Sequence, residues 1–261
     1  MFIVWGKKIT RRKRGYVVDF CPICRELRAF TLHSLRRVGH IYYIPLGLGE
    51  KIGHERTCLE CGTAYQAKDT TYAQISRRRL SLDELKQGTF PNVDAVYQDR
   101  MALEERIRNG RARLTPADRF ALIKEPFMFL SARVERRFAT THIDMGVGIA
   151  IIAAVLLPVA VVRVTTAYFP DLLPQATAAS LVVGVAAIIW QAVASGSRFM
   201  RREVLPLLAR CLQPLQPSEQ ELDAVMSELR QVPYKIARKL KAGQVFTRIH
   251  DEVGAIIPKA F

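Results

Sequence analysis

Apolar and polar positions change rhythm along this chain, and each rhythm predicts its own kind of element. Residues 16–67 alternate on a short period that suits strands. Phe20 leads into a turn, and Arg28 to Arg37 and Ile41 to Leu46 are rich in aromatic and β-branched side chains. Thr63 to Gln66 follow a second turn. Gly39, Pro45, Gly47, Gly49 and Gly53 read as the turns between these strands. Helical spacing takes over from residue 68. Ser81 caps a short helix reaching Gly88, and Asn92 starts another that runs to Arg108 and stops at Gly110. Thr115-Pro116-Ala117-Asp118 opens a longer helix, with proline in its first turn and an acid at the positive end of the dipole. Phe120, Ile123, Phe127, Leu130 and Val134 then recur on one face, with a bend expected at Pro126. That stripe has two destinations: the membrane interface, or the chain's own C-terminal helices.

Two long apolar blocks follow. Ile143 to Val162 spans 20 residues with Asp144 its only ionisable group, and Ala176 to Gly196 adds 21 without a charge. At about 1.5 Å per residue, each covers the roughly 30 Å hydrocarbon core of a bilayer. The 13 residues between them, Arg163 to Gln175, hold Pro170 and Pro174 and suffice for a turn. Small residues recur at every fourth position, Gly146, Ala150 and Ala154 on the first block and Ala176, Ser180, Gly184, Ala192 and Gly196 on the second. Such a stripe lets helices approach closely in lipid. The competing expectation is a buried helical pair in a soluble core. Asp144, at the edge of the block beside His142, reads as an interfacial or helix-start carboxylate.

Beyond the blocks, Val204 to Leu215 is apolar but interrupted by Pro206 and Pro214. Ser218 with Glu221 forms a capping box, and Leu222, Val225, Met226 and Leu229 mark one face before Pro233. Lys235 to Lys241 is basic and expected to break at Gly243. Val245, Phe246, Ile249 and Val253 mark a last helix.

Charge follows the same division. Residues 1–67 carry 12 Lys/Arg against 5 Asp/Glu, 68–142 carry 15 against 10, and 197–261 carry 11 against 7. Residues 143–196 hold 1 against 2, so nearly all of the net +15 flanks one almost uncharged block. Basicity of this size suits nucleic acid. It equally suits segments on the cytoplasmic face of an anionic membrane, which the apolar blocks favour. Lys124, Arg133, Arg136 and Arg137 precede the blocks, Arg198, Arg201, Arg202 and Arg210 follow them, and only Arg163 lies between. That asymmetry predicts a two-pass protein of the inner (cytoplasmic) membrane with both termini in the cytoplasm. Met1 to Trp5 is too short an apolar run for a signal peptide.

Five cysteines in 261 residues do not make a disulfide scaffold. Cys211 sits among Leu207, Leu208 and Leu212 as a small buried hydrophobe would. The other four form two close pairs, Cys21-Pro22-Ile23-Cys24 and Cys58-Leu59-Glu60-Cys61, separated by 33 residues. Each pair puts two thiolates on one tight turn, and two such turns can close a tetrahedron around Zn²⁺. A rubredoxin-like iron site uses the same ligands. A thioredoxin-type redox pair would instead want its Cys-x-x-Cys at a helix start. His33, His40 and His54 are nearby, but four thiolates leave no open position, so these read as strand-surface or loop residues. Gly62, directly after Cys61, is expected to take positive φ and let backbone N–H groups face the sulfurs.

These residues carry a family resemblance. Phe2-Ile3-Val4-Trp5-Gly6-Lys7, Cys21-Pro22-x-Cys24, Tyr42-Tyr43-Ile44-Pro45-Leu46 and Cys58-x-x-Cys61-Gly62-x-x-Tyr65 resemble the small zinc-ribbon proteins of bacteria. The resemblance covers about residues 1–67 and implies a Cys₄ zinc ribbon with ligands Cys21, Cys24, Cys58 and Cys61. Arg25 stands where glycine is frequent in that group, which predicts a strained or differently turned first knuckle. No proline follows Cys58.

The fold expected is a multi-module α+β chain. A small antiparallel zinc ribbon (1–67) precedes a helical connector (68–142), a transmembrane helical hairpin (143–162 and 176–196, within 143–196) and a cytoplasmic helical tail (197–261). No Gly-rich phosphate loop, nucleophile–base set or paired acid cluster appears, so the function expected is binding or scaffolding with structural zinc and no catalysis. Partners expected are the lipid bilayer and a protein met by Arg36, Arg37, Tyr42 and Tyr43. The alternatives are a membrane-tethered nucleic-acid binder using Arg11, Arg12, Lys13 and Arg14, and a thiol redox protein.

Overall fold

The computed structural model describes residues 5–41, 44–111, 113–139, 144–232 and 234–256. Phe2 to Val4, Tyr42, Tyr43, His142, Ile143 and Pro233 lie outside the described residues, as does the side chain of Val253. An antiparallel sheet comes first: β1 Trp5–Cys21, β2 Glu26–Ile41, β3 Ile44–Cys58 and β4 Ala64–Ala67, ordered β1-β2-β3-β4. Its first three strands are far longer than expected. The reason lies in the glycines, which mark bulges where turns were expected. Pairing of β2 with β3 slips between Leu35 and Arg36 and again between Arg37 and Gly39. Gly53, Gly49 and Gly47 supply the slack from β3, the last two with φ of +66° and +74°. A bulge adds a residue without ending the ladder, so the alternation continues on both sides of it. In β1, Gly15 plays a similar part. A Cβ there would lie 2.2 Å from the Ser76 carbonyl oxygen, and only glycine lets Tyr16 pair with Ser76.

Helices then follow: α1 Leu82–Thr89, α2 Val93–Val96, α3 Gln98–Arg108 and α4 Pro116–Ala139. Ser81 and Glu84 form a capping box on α1. The helix expected from Asn92 to Arg108 is broken at Tyr97, and Gly110 ends it at φ +65°. Thr115 Oγ1 accepts from the Asp118 N–H at 3.1 Å to start α4, which continues through a buried Pro126.

Helices α5 Met145–Tyr168 and α6 Leu173–Phe199 are the two apolar blocks, longer than their sequence boundaries. Only Phe169 to Leu172 connect them, because Pro174 fits the first turn of α6, where its missing N–H is no loss. Gly184 packs so closely on α5 that a Cβ would meet that of Ala154 at 2.9 Å. Gly196 meets the ring of Phe138 in α4 instead of α5. Both helices are long and apolar enough to cross a membrane, and only 11% of the most apolar window of each is buried. Met145 is 84% exposed and Trp190 73%. A soluble core would hide such side chains.

The helix does not stop where the second block ends. A π-helical turn, Met200–Val204, carries it into α7 Leu205–Leu212. Pro206 cannot donate to the preceding turn, and the wider π-helical turn lies just before it. Then come α8 Glu219–Gln231, capped by Ser218 and Glu221, α9 Lys235–Lys239 and α10 Ala242–Ile256. Gly243 lies inside α10; the break expected there falls at Leu240 and Lys241.

The stripe on α4 faces the C-terminal helices: Ile123, Phe127, Leu130 and Val134 are fully buried in one cluster with Leu208, Leu222, Ile236 and Val245. Ion pairs Arg119–Glu221 and Lys124–Glu228 flank that contact at 2.5 and 2.7 Å. The same cluster takes in Val17, Val18, Cys21, Ile23 and Phe30 of the sheet end. The sheet, the connecting helices and the C-terminal helices therefore share one core, to which residues 143–196 contribute none of the clustered side chains.

Candidate metal centre

Both cysteine pairs close the same turn. The Arg25 N–H donates to the Cys21 carbonyl at 2.7 Å, and the Gly62 N–H to the Cys58 carbonyl at 3.0 Å. Both residues adopt the left-handed region, at φ +60° and +66°. One turn links β1 to β2 and the other β3 to β4, so both lie at the same end of the sheet. The four sulfurs meet there. Cys21 Sγ lies 3.6 Å from Cys61 Sγ, Cys24 Sγ lies 3.9 Å from Cys58 Sγ, and all four fall within 4.8 Å of one another. A tetrahedron of thiolates with metal–sulfur bonds of about 2.3 Å has edges of about 3.8 Å, so this donor set could hold a metal ion. His33, His40 and His54 do not belong to the cluster. His54 is buried, not on the strand surface, with Nε2 3.0 Å from Asp69.

Gly62 takes the positive φ expected of it. Its own N–H goes to the Cys58 carbonyl, while the N–H of Cys24 reaches Cys21 Sγ at 3.5 Å and that of Cys61 reaches the Cys58 sulfur. Hydrogen bonds from Cys21 and then Cys24 hold the Cys58 and Cys61 thiols below the ordinary range. Cys24 is pushed up by its hydrogen bonds to Cys21 and then Cys58. Binding a cation requires all four as thiolates and releases the protons they hold.

The protein body encloses the site. Cys21, Cys58 and Cys61 are buried and Cys24 half-buried. Tyr65 Oη lies 3.6 Å from Cys21 Sγ, its ring edge-on to Phe129 of α4. Burial, followed by the nearby Cys21 thiolate, pushes the Tyr65 hydroxyl up. Arg133 of α4 donates to the Cys61 carbonyl at 3.3 Å. Arg25, with no Gly-like freedom, sits in left-handed backbone at a cost of about 1–2 kcal/mol. Its buried side chain reaches Glu104 of α3 at 2.5 Å and the Cys211 carbonyl of α7 at 3.1 Å. Cys211 is buried as expected. Burial pushes its thiol up to about 12, and it faces the Pro22 carbonyl.

A second buried polar cluster lies near this end of β1. Asp19, fully buried, accepts from Tyr72 at 2.7 Å and Tyr97 at 2.8 Å and pairs with Arg56. Burial, then the Asp19 charge, pushes the Tyr72 hydroxyl up. Its side chains hold the strands to the segment 72–97. The sequence signal was an acid in the otherwise apolar run Val17 to Cys21. The Arg25–Glu104 pair left no local signal, since its members are 79 residues apart.

Other expected site residues are dispersed. Arg36 donates to the Leu48 carbonyl at 3.0 Å, while Arg37 is exposed. Arg12, Lys13 and Arg14 are exposed on edge strand β1, and Arg11 pairs with Glu55. Neither cysteine pair starts a helix, as a thioredoxin-type site would require. Asp144 caps α5, accepting from the Val147 N–H at 2.9 Å, and also pairs with Arg198. No family model, curated protein or solved structure matches the chain.

Proposed function

We propose that this protein is a membrane-anchored zinc-ribbon module that binds or scaffolds a partner at the cytoplasmic face, with a structural ion and no catalytic site. The observation that carries it is the meeting of four cysteine sulfurs within 4.8 Å, on a sheet whose core continues into the helices from which the apolar pair projects. Cys21, Cys24, Cys58 and Cys61 would hold Zn²⁺, which supplies cross-linking of two chain turns and leaves no ligand position open. The resemblance of residues 1–67 to bacterial zinc ribbons favours zinc over iron.

Anchoring is supported by the exposure of most of α5 and α6, whose apolar stretches pack on each other and on the protein body only at their base. Arginines crowd the ends of α4 and α6, and Arg163 alone lies near the connection, which favours a cytoplasmic position for sheet and tail. The test is alkaline carbonate extraction of membranes from cells expressing the full chain. Retention in the pellet is expected; release into the supernatant would remove the anchoring.

A second reading rests on exposed Arg12, Lys13 and Arg14 of edge strand β1. A basic edge resists unwanted strand pairing and also suits phosphate backbones. Nucleic-acid binding by this strand predicts affinity that falls steeply with salt; affinity indifferent to salt would dismiss it.

A further inference from the structure

We infer that the base of the helical pair carries a phosphate-binding cleft that takes the headgroup of an anionic phospholipid, an inference that rests on the membrane reading above. Two cavities adjoin there, sharing Arg137 and Phe199. One, of about 420 Å³, lies where α5 begins and α6 ends, lined by Arg137, Arg198 and Arg202. The other, of about 320 Å³, lies between α4 and the sheet, lined by Arg11, Arg133, Arg136 and Arg137. Six arginines thus line the pair of cavities against two carboxylates, Asp144 and Glu203.

Most of these charges are already matched. Arg198 grips Asp144 through Nε at 3.1 Å and Nη2 at 2.9 Å. Gly146 makes this fit, since a Cβ there would meet Arg198 at 2.9 Å. Arg133 pairs with Glu203 at 2.7 Å, and Arg11 and Arg136 share Glu55 at 3.2 and 3.1 Å. Two are not matched. Arg137 donates to the neutral Ser195 hydroxyl at 2.8 Å and lies over the Phe199 ring. Arg202 is exposed, and neither meets a carboxylate among the described residues.

Arg137 stands in the wall common to both cavities, held by the Ser195 hydroxyl and the Phe199 ring, with no carboxylate in ion-pair contact among the described residues. A guanidinium so fixed presents a fork suited to two phosphate oxygens. The position selects the source of that phosphate. The cleft opens at the ends of both apolar helices, beside exposed Met145, at the depth where headgroup phosphates border hydrocarbon.

The test uses the full chain in nanodiscs of phosphatidylcholine with phosphatidylglycerol, followed by native mass spectrometry of lipids retained after release. Wild type should retain phosphatidylglycerol over phosphatidylcholine by about thirtyfold, two arginines contributing roughly 1 kcal/mol each. Arg137→Gln/Arg202→Gln should lose that preference, and Arg202→Gln alone, which disturbs no packing, should weaken it. Arg78→Gln/Arg79→Gln, the same charge change on exposed residues elsewhere, should keep it. No preference in wild type, or an unchanged one in the cleft variants, overturns the inference. So does displacement of the lipid by equimolar inorganic phosphate, which would make this a free-phosphate site. Failure to enter nanodiscs removes the membrane reading and this inference together, whereas entry without headgroup preference removes this inference alone.

Discussion

Arg25 Nε lies 2.5 Å from Glu104 Oε2, and the two side chains are only 6% and 4% exposed. This pair fastens the first cysteine turn to α3, while Arg25 Nη1, donating to the Cys211 carbonyl, fastens it to α7. The left-handed backbone at Arg25 is tolerated because its side chain completes a buried ion pair. Local backbone preference alone would put glycine there.

Arg25→Gly therefore separates the two effects. It relieves about 1 kcal/mol of backbone cost but leaves Glu104 buried with Arg100 as its remaining cation, 2.9 Å away. Removing one partner of a buried pair costs about 3–5 kcal/mol, so a net loss of about 2 kcal/mol or more is expected in denaturant unfolding of the detergent-solubilised protein. Equal or higher stability would show that the pair does not hold the turn.

Gly184 tests the helical pair. A Cβ at this position would meet Ala154 Cβ at 2.9 Å and Cα at 3.2 Å, so the helices must part to admit one. Gly184→Leu should lower stability in detergent by about 1–3 kcal/mol. Gly148→Leu, on an open face with nothing within 4 Å of its added Cβ, should change it little. Equal effects would deny the close approach.

His54 predicts acid sensitivity. Burial, more than the opposing pull of Asp69, lowers its pKa from the usual 6.5. The unfolded chain then binds the proton more tightly. The stability from a neutral His54 is complete above about pH 6.5 and is lost as pH falls through the lower folded value. Thermal unfolding of wild type and His54→Gln should diverge above pH 6.5 and converge below it. Parallel curves would contradict the assignment.

What was legible in the sequence had short-range causes. Cysteine spacing, the capping boxes at Ser81 and Ser218, the Thr115–Asp118 start and two nearly uncharged blocks each depend on neighbours within a few residues. The long strands were hidden because Gly47, Gly49 and Gly53 look like turns until the partner strand shows that the ladder continues past them. The break at Gly243 was misplaced for a related reason, since glycine is tolerated in a helix's first turn. The setting of Arg25 and the arginine cleft depend on residues far apart in sequence, and no local pattern encodes them.

Tyr65→Phe bears on the surroundings of the sulfurs. Removing the hydroxyl 3.6 Å from Cys21 Sγ should leave the fold intact and speed metal loss to a chelator by about tenfold, the scale for groups just outside the ligands. An unchanged rate would mean the hydroxyl is only a packing group.

Metal content measured together with thiol alkylation on the purified full-length protein is the most direct test. One zinc per chain is expected, with Cys21, Cys24, Cys58 and Cys61 alkylated only after chelation. Protein free of metal, its four thiols alkylated at once, would contradict a metal centre at this end of the sheet.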